Sequence, residues 1–409
     1  MSNFKTIDSC EVCKNKNLIS LLDLGLLPLC DDLIPINENR DCQEYPTEVL
    51  FCEVCKTAHQ KYQVKKEILF NDEYHYRARF TQDVIDGMSE LVCSTKDYIG
   101  NLIGKKVLDI GCNDGSLLDF FRQEKCSTYG IEPTDAFLDA KEKKHKIFKE
   151  YLTPDFSKKF IKENGKMDLI TFTNVFAHID NLDELLNSVK ILMHDDSCLI
   201  IENHYLGSIL EGFQFDTFYH EHPRTYSFSS FKEIAKSLGM NINKLEFPSR
   251  YGGNIRVFIS KSNSKIYYKN NLEDLIQKEN NFPNLFDQME EKINLWKLKK
   301  KSQIDCYLKN YPKIVAKAFP GRAAILMKLL NLDKDKIYAV FEKPGSKKIG
   351  HFVPGTKIPI LSDQKLFNMA DENFPIMNLA WHIPNEIRNY LKENNLKGDV
   401  FEIIDPDEW

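Results

Sequence analysis

Lys105-Lys106-Val107-Leu108-Asp109-Ile110-Gly111-Cys112-Asn113-Asp114-Gly115, followed by Ser116-Leu117-Leu118-Asp119-Phe120-Phe121, reads as a strand, a glycine turn and the start of a helix. Val107, Leu108 and Ile110 give the apolar run of a buried strand. Gly111 and Gly115 let the backbone turn closely around a ligand, and Ser116 opens the helix. The spacing is G-x-N-x-G, so a dinucleotide loop of the G-x-G-x-x-G kind is the poorer match. A second strand ends at Tyr129-Gly130-Ile131-Glu132-Pro133. Glu132 lies 23 residues after Asp109, where an acidic side chain can accept both ribose hydroxyls of an adenosine. A third strand, Met167 to Asn174, runs into Val175-Phe176-Ala177-His178 and a helix near Asp183 to Met193. A fourth, Cys198 to Glu202, keeps the β/α alternation. That rhythm predicts an open, mainly parallel α/β sheet with ligands at the carboxyl ends of its strands.

Around this segment the chain is ordinary in bulk. It has 409 residues, 42% hydrophobic and 28% charged, with a net charge of −5. The length suggests two or three domains, each with its own core. The slight acidic excess excludes a protein built mainly to hold nucleic acid. No apolar run approaches the roughly 18 residues that span a bilayer, and Met1 to Lys16 lacks the apolar core of a signal peptide. The expectation is a cytoplasmic protein away from membranes; its oligomeric state is open, and a monomer is compatible with the sequence.

Six of the 11 cysteines fall in the first 55 residues. Four of them form two identical knuckles, Cys10-Glu11-Val12-Cys13 and Cys52-Glu53-Val54-Cys55. Each knuckle aims two thiolates at one point, and four thiolates complete a tetrahedral zinc site with no open position. The expected metal is therefore a structural Zn²⁺ that clips distant segments together. Cys30 and Cys42 break the pattern and read as bystanders; His59 is a weaker fifth candidate.

Phe215-Asp216-Thr217-Phe218-Tyr219-His220-Glu221-His222 concentrates two imidazoles, a carboxylate and a phenol. An extended segment would put His220 and His222 on one face, with Tyr219 and Glu221 on the other. A bend at Pro223 would let all four border one cleft. A metal site is the rival reading, with a thin donor set. Imidazole is well matched to taking a proton near neutral pH.

The glycine loop, Glu132 and the Asn174-x-x-x-His178 pattern together resemble the S-adenosylmethionine-dependent methyltransferases. The resemblance implies cofactor binding by Asp109, Gly111, Asn113, Asp114, Gly115, Glu132, Asn174 and His178. For Asn174 and His178, capping or packing is the alternative. The Tyr219-to-His222 run, the paired knuckles, Tyr205 in Asn203-His204-Tyr205-Leu206 and Gly252-Gly253-Asn254-Ile255-Arg256-Val257 are similar to the sugar C-methyltransferases of deoxysugar pathways. Those enzymes methylate a nucleotide-linked keto sugar. The resemblance implies His222 as the base, with Tyr219 and Glu221 beside it. It implies Tyr76, in Tyr74-His75-Tyr76, as a tyrosine facing the sugar. Tyr205, His220, Arg256 and Arg322 would contact the substrate.

The C-terminal third repeats a β/α pattern: Ile314 to Ala316, a helix from about Arg322 to Leu330, Ile337 to Glu342, Ile376 to His382, and a helix through Tyr390. Between Ile266 and Leu308 the chain is charged and helical, with Lys299-Lys300-Lys301 as a solvated face. Where the family carries a Gly-x-Gly loop, this chain has Ala316-Lys317-Ala318-Phe319-Pro320-Gly321-Arg322. Methyl groups there hinder close backbone approach, leaving Lys317 or Arg322 to hold phosphates through side chains. The expected organisation is an α/β chain. A zinc-binding domain (1–75) precedes a Rossmann-like methyltransferase domain (76–265). A helical connector (266–308) and a second, smaller Rossmann-like domain (309–409) for the nucleotide sugar follow. The expected activity is carbon methylation of a nucleotide-linked keto sugar through an enolate. A sugar O-methyltransferase, or a non-catalytic zinc and nucleotide scaffold, is the alternative.

Overall fold

The computed structural model describes residues 3–69, 77–80, 82–369 and 373–405. The chain divides into two compact units. The first comprises 1–21, 49–214 and 221–285; the second comprises 22–48, 215–220 and 286–409.

In the first unit, the part of β1 (Glu44–Cys52) from Val49 onward and β2 (Thr57–Gln60) form a hairpin, with Cys52 opposite Thr57. The turn between them is the second knuckle. Each knuckle is a Cys-Glu-Val-Cys-Lys turn closed by a backbone bond from its fifth residue to its first, Lys14 to Cys10 (2.9 Å) and Lys56 to Cys52 (2.8 Å). Both lysines sit in the left-handed region, at φ 63° and 57°. The short strand Arg224–Thr225 extends this sheet by pairing with β2, Arg224 opposite His59.

The same unit carries a seven-stranded sheet. Its strands are β3 (Lys106–Ile110), β4 (Ser127–Ile131), β5 (Lys146–Phe148), β6 (Met167–Thr173), β7 (Met193–His204), β8 (Asn241–Glu246) and β9 (Asn254–Ser260). Their order is β8-β9-β7-β6-β3-β4-β5. Pairings from β5 to β7 are parallel; β9 is antiparallel to both β7 and β8. The sheet is wound one way from β3 to β5 and the other way from β6 to β7. That reversal makes the carboxyl ends of β3 and β6 a crevice for ligand. The four strands read from sequence lie in this sheet, and β8 and β9 complete it.

The helices form where the sequence supplies both an apolar stripe and a start signal. In α1 (Gln82–Ile99), Val84, Met88, Leu91, Val92 and Thr95 recur at helical spacing and are buried. They pack with Val107, Leu117, Phe121, Leu169, Ile200 and Phe258. Each such aliphatic or aromatic side chain contributes about 1.5–3 kcal/mol. α2 (Ser116–Gln123) follows β3 directly, and α3 (Ala136–Glu142) follows β4. Thr153 caps α4 (Pro154–Asn164) through Phe156 N–H, with Pro154 at its first turn. Asn181 caps α5 (Leu182–Leu192), and a Ser227–Ser230 capping box opens α6 (Phe228–Ser237).

The second unit contains a five-stranded parallel sheet. Its strands are β10 (Ile314–Lys317), β11 (Ile337–Glu342), β12 (Ile360–Ser362), β13 (Ile376–Asn378) and β14 (Val400–Glu402), in the order β12-β11-β10-β13-β14. Val315, Ala339, Phe341, Leu366, Ile387 and Leu391 form its core. The Rossmann-like expectation for this part matches the sheet. The lysine run is a departure: Lys300 is only 2% exposed on a helix that spans Phe282–Asn310. Among the described residues, no helix is long and apolar enough to cross a membrane.

Candidate active site

The carboxyl end of β3 turns on three left-handed residues, Gly111 (φ 68°), Asn113 (φ 48°) and Gly115 (φ 74°). A Cβ on Gly111 would stand 2.6 Å from Val175 Cγ2, so only glycine lets the loop lie this close to the end of β6. Gly111 and Cys112 donate to the Ile131 carbonyl at 2.8 and 3.1 Å, fastening the loop to the end of β4. Glu132 follows immediately. Its Oε2 accepts from Asn113 N–H (2.9 Å), and Oε1 accepts from the Thr134 backbone (2.9 Å) and hydroxyl (2.6 Å). A carboxylate offers about four acceptor positions, and with three filled this fixed acid retains one, on Oε2, for a ligand hydroxyl. A glycine cradle and a pre-oriented acid, both at the switch point, fit an adenosyl cofactor.

Two loop acids serve the loop itself. Asp114 is fully buried; it accepts from Ser116 Oγ at 2.6 Å and from Arg79 N–H at 2.9 Å. Asp109 accepts from Thr171 Oγ1 at 2.7 Å, and burial pushes its carboxyl up to about 7. Both acids, expected on the ligand, brace the loop and the strands beside it through these bonds. Asn113 holds Ala78 N–H through its side-chain oxygen (3.0 Å). Asn174, left-handed at φ 54°, donates its N–H to the Glu202 carbonyl (2.7 Å) and accepts from Asn254 (3.2 Å).

Beyond the end of β6 and β7, three imidazoles gather. His222 lies 4.8 Å from His178 and 5.4 Å from His204, ring centre to ring centre, the second pair nearly perpendicular at 87°. His178 Nδ1 donates to the Glu221 carbonyl at 2.8 Å, and burial pushes its pKa down to about 4. A neutral His178 imposes no like-charge penalty when His222 takes a proton. His204, the last residue of β7, went unnoticed in the sequence, where it was only a letter beside Tyr205. Its register at a strand terminus was the available signal.

The extended-strand expectation for 219–222 fails: residues 219–221 form a bend and turn. Glu221 and His222 belong to the first unit and are buried; Tyr219, half-buried, and His220 belong to the second. His220 is 2% exposed, bound to Thr47 Oγ1 (3.0 Å) and the Tyr45 carbonyl (3.3 Å), with its pKa pushed down to about 4 by burial. It is packed as a core residue. Tyr205 is likewise buried, donating to Glu279 at 3.1 Å. Arg256 is committed to Glu202 (2.6 Å) and Glu246 (2.9 Å). Arg322, half-buried, donates to Thr217 Oγ1 (2.7 Å) and stands 3.6 Å from Asp216. Lys317 is 1% exposed and paired with both Asp363 oxygens at 3.0 Å, so it is no phosphate ligand. Ala318 adopts φ 62°, the glycine-type conformation with a methyl attached. Tyr76 lies outside the described residues.

Two of the buried imidazoles make a stability prediction. His59 (1% exposed) and His220 both have pKa values near 4, against 6.5 for the free side chain, because burial disfavours the charged ring. The unfolded chain therefore binds more protons between these values. Each histidine's contribution is complete above pH 6.5 and is lost as pH falls towards 4, by up to about 3 kcal/mol. Urea unfolding across that window should show a falling midpoint; a flat profile would contradict neutral burial.

In the first unit, Cys10, Cys13, Cys52 and Cys55 bring their sulfurs within 4.8 Å of one another. Cys10 to Cys55 is 3.4 Å and Cys13 to Cys52 is 3.5 Å. A zinc tetrahedron with bonds near 2.3 Å has edges of about 3.8 Å, so the four thiolates fit Zn²⁺. Among the described residues no fifth ligand joins them; His59, Cys30 and Cys42 stand outside.

Three families match the chain in sequence. A zinc binding domain family covers residues 10–70, a methyltransferase domain family 75–245, and a C-methyltransferase C-terminal domain family 249–404. C-methyltransferase NovU from Streptomyces niveus is 23% identical over 409 residues, 98% of this chain and 96% of that protein. Ubiquinone biosynthesis O-methyltransferase from Glaesserella parasuis serovar 5 (strain SH0165) is 34% identical over 112 residues, 26% of this chain and 48% of that one. Magnesium protoporphyrin IX methyltransferase from Synechocystis PCC 6803 with bound SAH superposes with a TM-score of 0.35 and 17% identity, covering 48% of this chain and 92% of that structure. The cradle, the acid and the domain match define an S-adenosylmethionine-dependent methyltransferase with a structural zinc site. In chain order the chain thus matches a zinc binding module, a methyltransferase domain and a C-methyltransferase C-terminal domain, and along nearly its whole length it is similar to C-methyltransferase NovU.

Proposed function

We propose that the acceptor is a nucleotide-linked keto sugar, methylated on the carbon beside its carbonyl. The observation that carries this reading is the imidazole group of His222, His178 and His204 beyond the carboxyl ends of β6 and β7. A proton on carbon next to a ketone is weakly acidic, so its removal needs a base with a pKa near the working pH. An unprotonated ring nitrogen of His222 takes that proton, and neutral His178 tolerates the charge that results. The carbonyl oxygen gains negative charge and needs a donor; the phenol of Tyr219 or Tyr76 has the right chemistry. Glu221 lies beside the base and presents its backbone carbonyl to His178. Gly111, Gly115, Asn113 and Glu132 hold the cofactor, with Asn174 at the adjoining strand end. When bound, S-adenosylmethionine supplies a sulfonium methyl as the electrophile. The chain's remaining task is to hold donor and acceptor close and exclude water. The second unit's parallel sheet, matched by the C-methyltransferase C-terminal family, supports binding of the nucleotide part. A cytoplasmic setting belongs to the same reading, since nucleotide sugars are made there.

The test is incubation with methyl-labelled cofactor and a panel of nucleotide-linked 4-keto sugars, followed by location of the label. We expect turnover of at least one sugar with label on carbon. Label on oxygen would replace this reading with a sugar O-methyltransferase. Absence of turnover with any acceptor favours a binding scaffold.

A further inference from the structure

Arg224 is a fully buried cation two residues beyond His222. Its strand is fastened to the zinc module: Gln60 N–H donates to the Pro223 carbonyl at 2.9 Å, and Arg224 lies opposite His59. One terminal nitrogen donates to the carboxylate of Glu11, the residue between Cys10 and Val12 inside the first knuckle, and also to the Asp180 carbonyl at 3.2 Å. The other terminal nitrogen donates to the Ile179 carbonyl. Nε donates to Tyr226 Oη at 2.9 Å. Glu11 is oriented in turn by Lys5 (3.0 Å) and Gln63 (2.8 Å). Ile179 directly follows His178. A single guanidinium therefore joins the zinc knuckle to both segments whose imidazoles meet at 4.8 Å.

We propose that the Glu11–Arg224 pair is a positioning device through which the zinc knuckle sets His222 against His178. It rests on the reading of His222 as the base. Burying a guanidinium without compensation is costly, so its use here calls for a task a leucine could not perform. That task is geometric. The planar fork presents donors in fixed directions, and only such a fork can hold a carboxylate and two successive carbonyls together. A lysine at 224 would keep the charge and lose the fork. Glu11 and Arg224 touch neither cofactor nor acceptor in this account; they act through the two imidazoles.

The experiment uses the full-length, zinc-loaded chain as Glu11→Gln, which keeps shape and removes charge, with Arg224→Lys as the second variant. Four quantities are measured: zinc content, cofactor affinity, the imidazole resonances of His178 and His222 in histidine-labelled protein, and kcat separately from the acceptor KM. We expect zinc to be retained and cofactor affinity to stay within about twofold. Both resonances should move, and kcat should fall about tenfold with KM nearly unchanged, the split for lost positioning. Chelating zinc from the unsubstituted chain should move the same two resonances. Unmoved resonances, or an unaltered kcat, in zinc-loaded Glu11→Gln overturn the proposal. If Arg224→Lys does not fold, Glu11→Gln decides alone. The base reading fails by a different result, retained turnover in His222→Ala, so the two failures stay distinguishable.

Discussion

His222→Ala is expected to lower methyl transfer by roughly 10²–10⁴-fold, the share a positioned general base supplies, while leaving affinity for S-adenosylmethionine within about twofold. The reason lies in how the two halves of the site are built. The cofactor cradle is held by Gly111, Cys112, Asn113, Glu132 and Thr134, bonded to one another and to the end of β4. None of those bonds involves residue 222. The imidazole group stands apart from this set, so deleting one ring removes proton transfer without loosening the cradle. Isothermal titration with the cofactor and a single-turnover assay with the acceptor separate the two quantities. Retained turnover removes His222 as the base. Loss of cofactor binding in parallel would show that the ring supports the cradle after all.

Removing zinc is expected to have the largest effect on stability. Four thiolates bind the metal with an apparent free energy on the order of 10 kcal/mol in small zinc modules, and in such modules that energy is folding energy. Cys10, Cys52 and Cys55 are completely buried, and the apolar side chains clustered with them are Val12, Cys13 and Leu18, a small core. Cys52→Ser should abolish stoichiometric zinc and sharply lower the unfolding midpoint of the N-terminal module. Cys30→Ser, outside the sulfur cluster, should keep about one zinc per chain. A Cys52→Ser protein with full zinc content would defeat the four-thiolate assignment.

What could be read in the sequence was short in range. Val107, Leu108 and Ile110 declare a strand by their own periodicity, and Gly111 and Gly115 declare a turn by their conformational freedom. The two knuckles declare a metal because each pair of thiolates is set by four consecutive residues. Glu132 and Asn174 follow from counting to strand ends. Apart from the backbone bend at 219–221, the departures are matters of partnership. Nothing near His220 in sequence announces that Thr47 and Tyr45 will close over it. Arg256 looked like a hand for the substrate, yet Glu202 and Glu246 had already taken it. Lys317 looked like a phosphate ligand until Asp363 arrived from a later strand end. His204 acquires meaning only when β7 brings it beside a turn near residue 222. A charged or aromatic side chain advertises its chemistry locally, but which neighbour consumes that chemistry is settled by tertiary packing.

The bond between Glu11 and Arg224 joins residues 213 positions apart, which gives the molecule a chronology. The two cysteine knuckles are complete once residue 55 has been made, and Arg224 follows roughly 170 residues later, about 10–30 s at ordinary rates of synthesis. Through that interval the knuckle can load its metal while Glu11 waits for its cation. Strands β3 to β7 and the cofactor cradle also precede residue 224, so most of the sheet can be in place first. Long-range closure comes late because its loop entropy must be overcome before its contacts form. The histidine pair would then take its final setting only after most of the cradle, and a chain cut short just before Arg224 would carry the base without the cation that positions it.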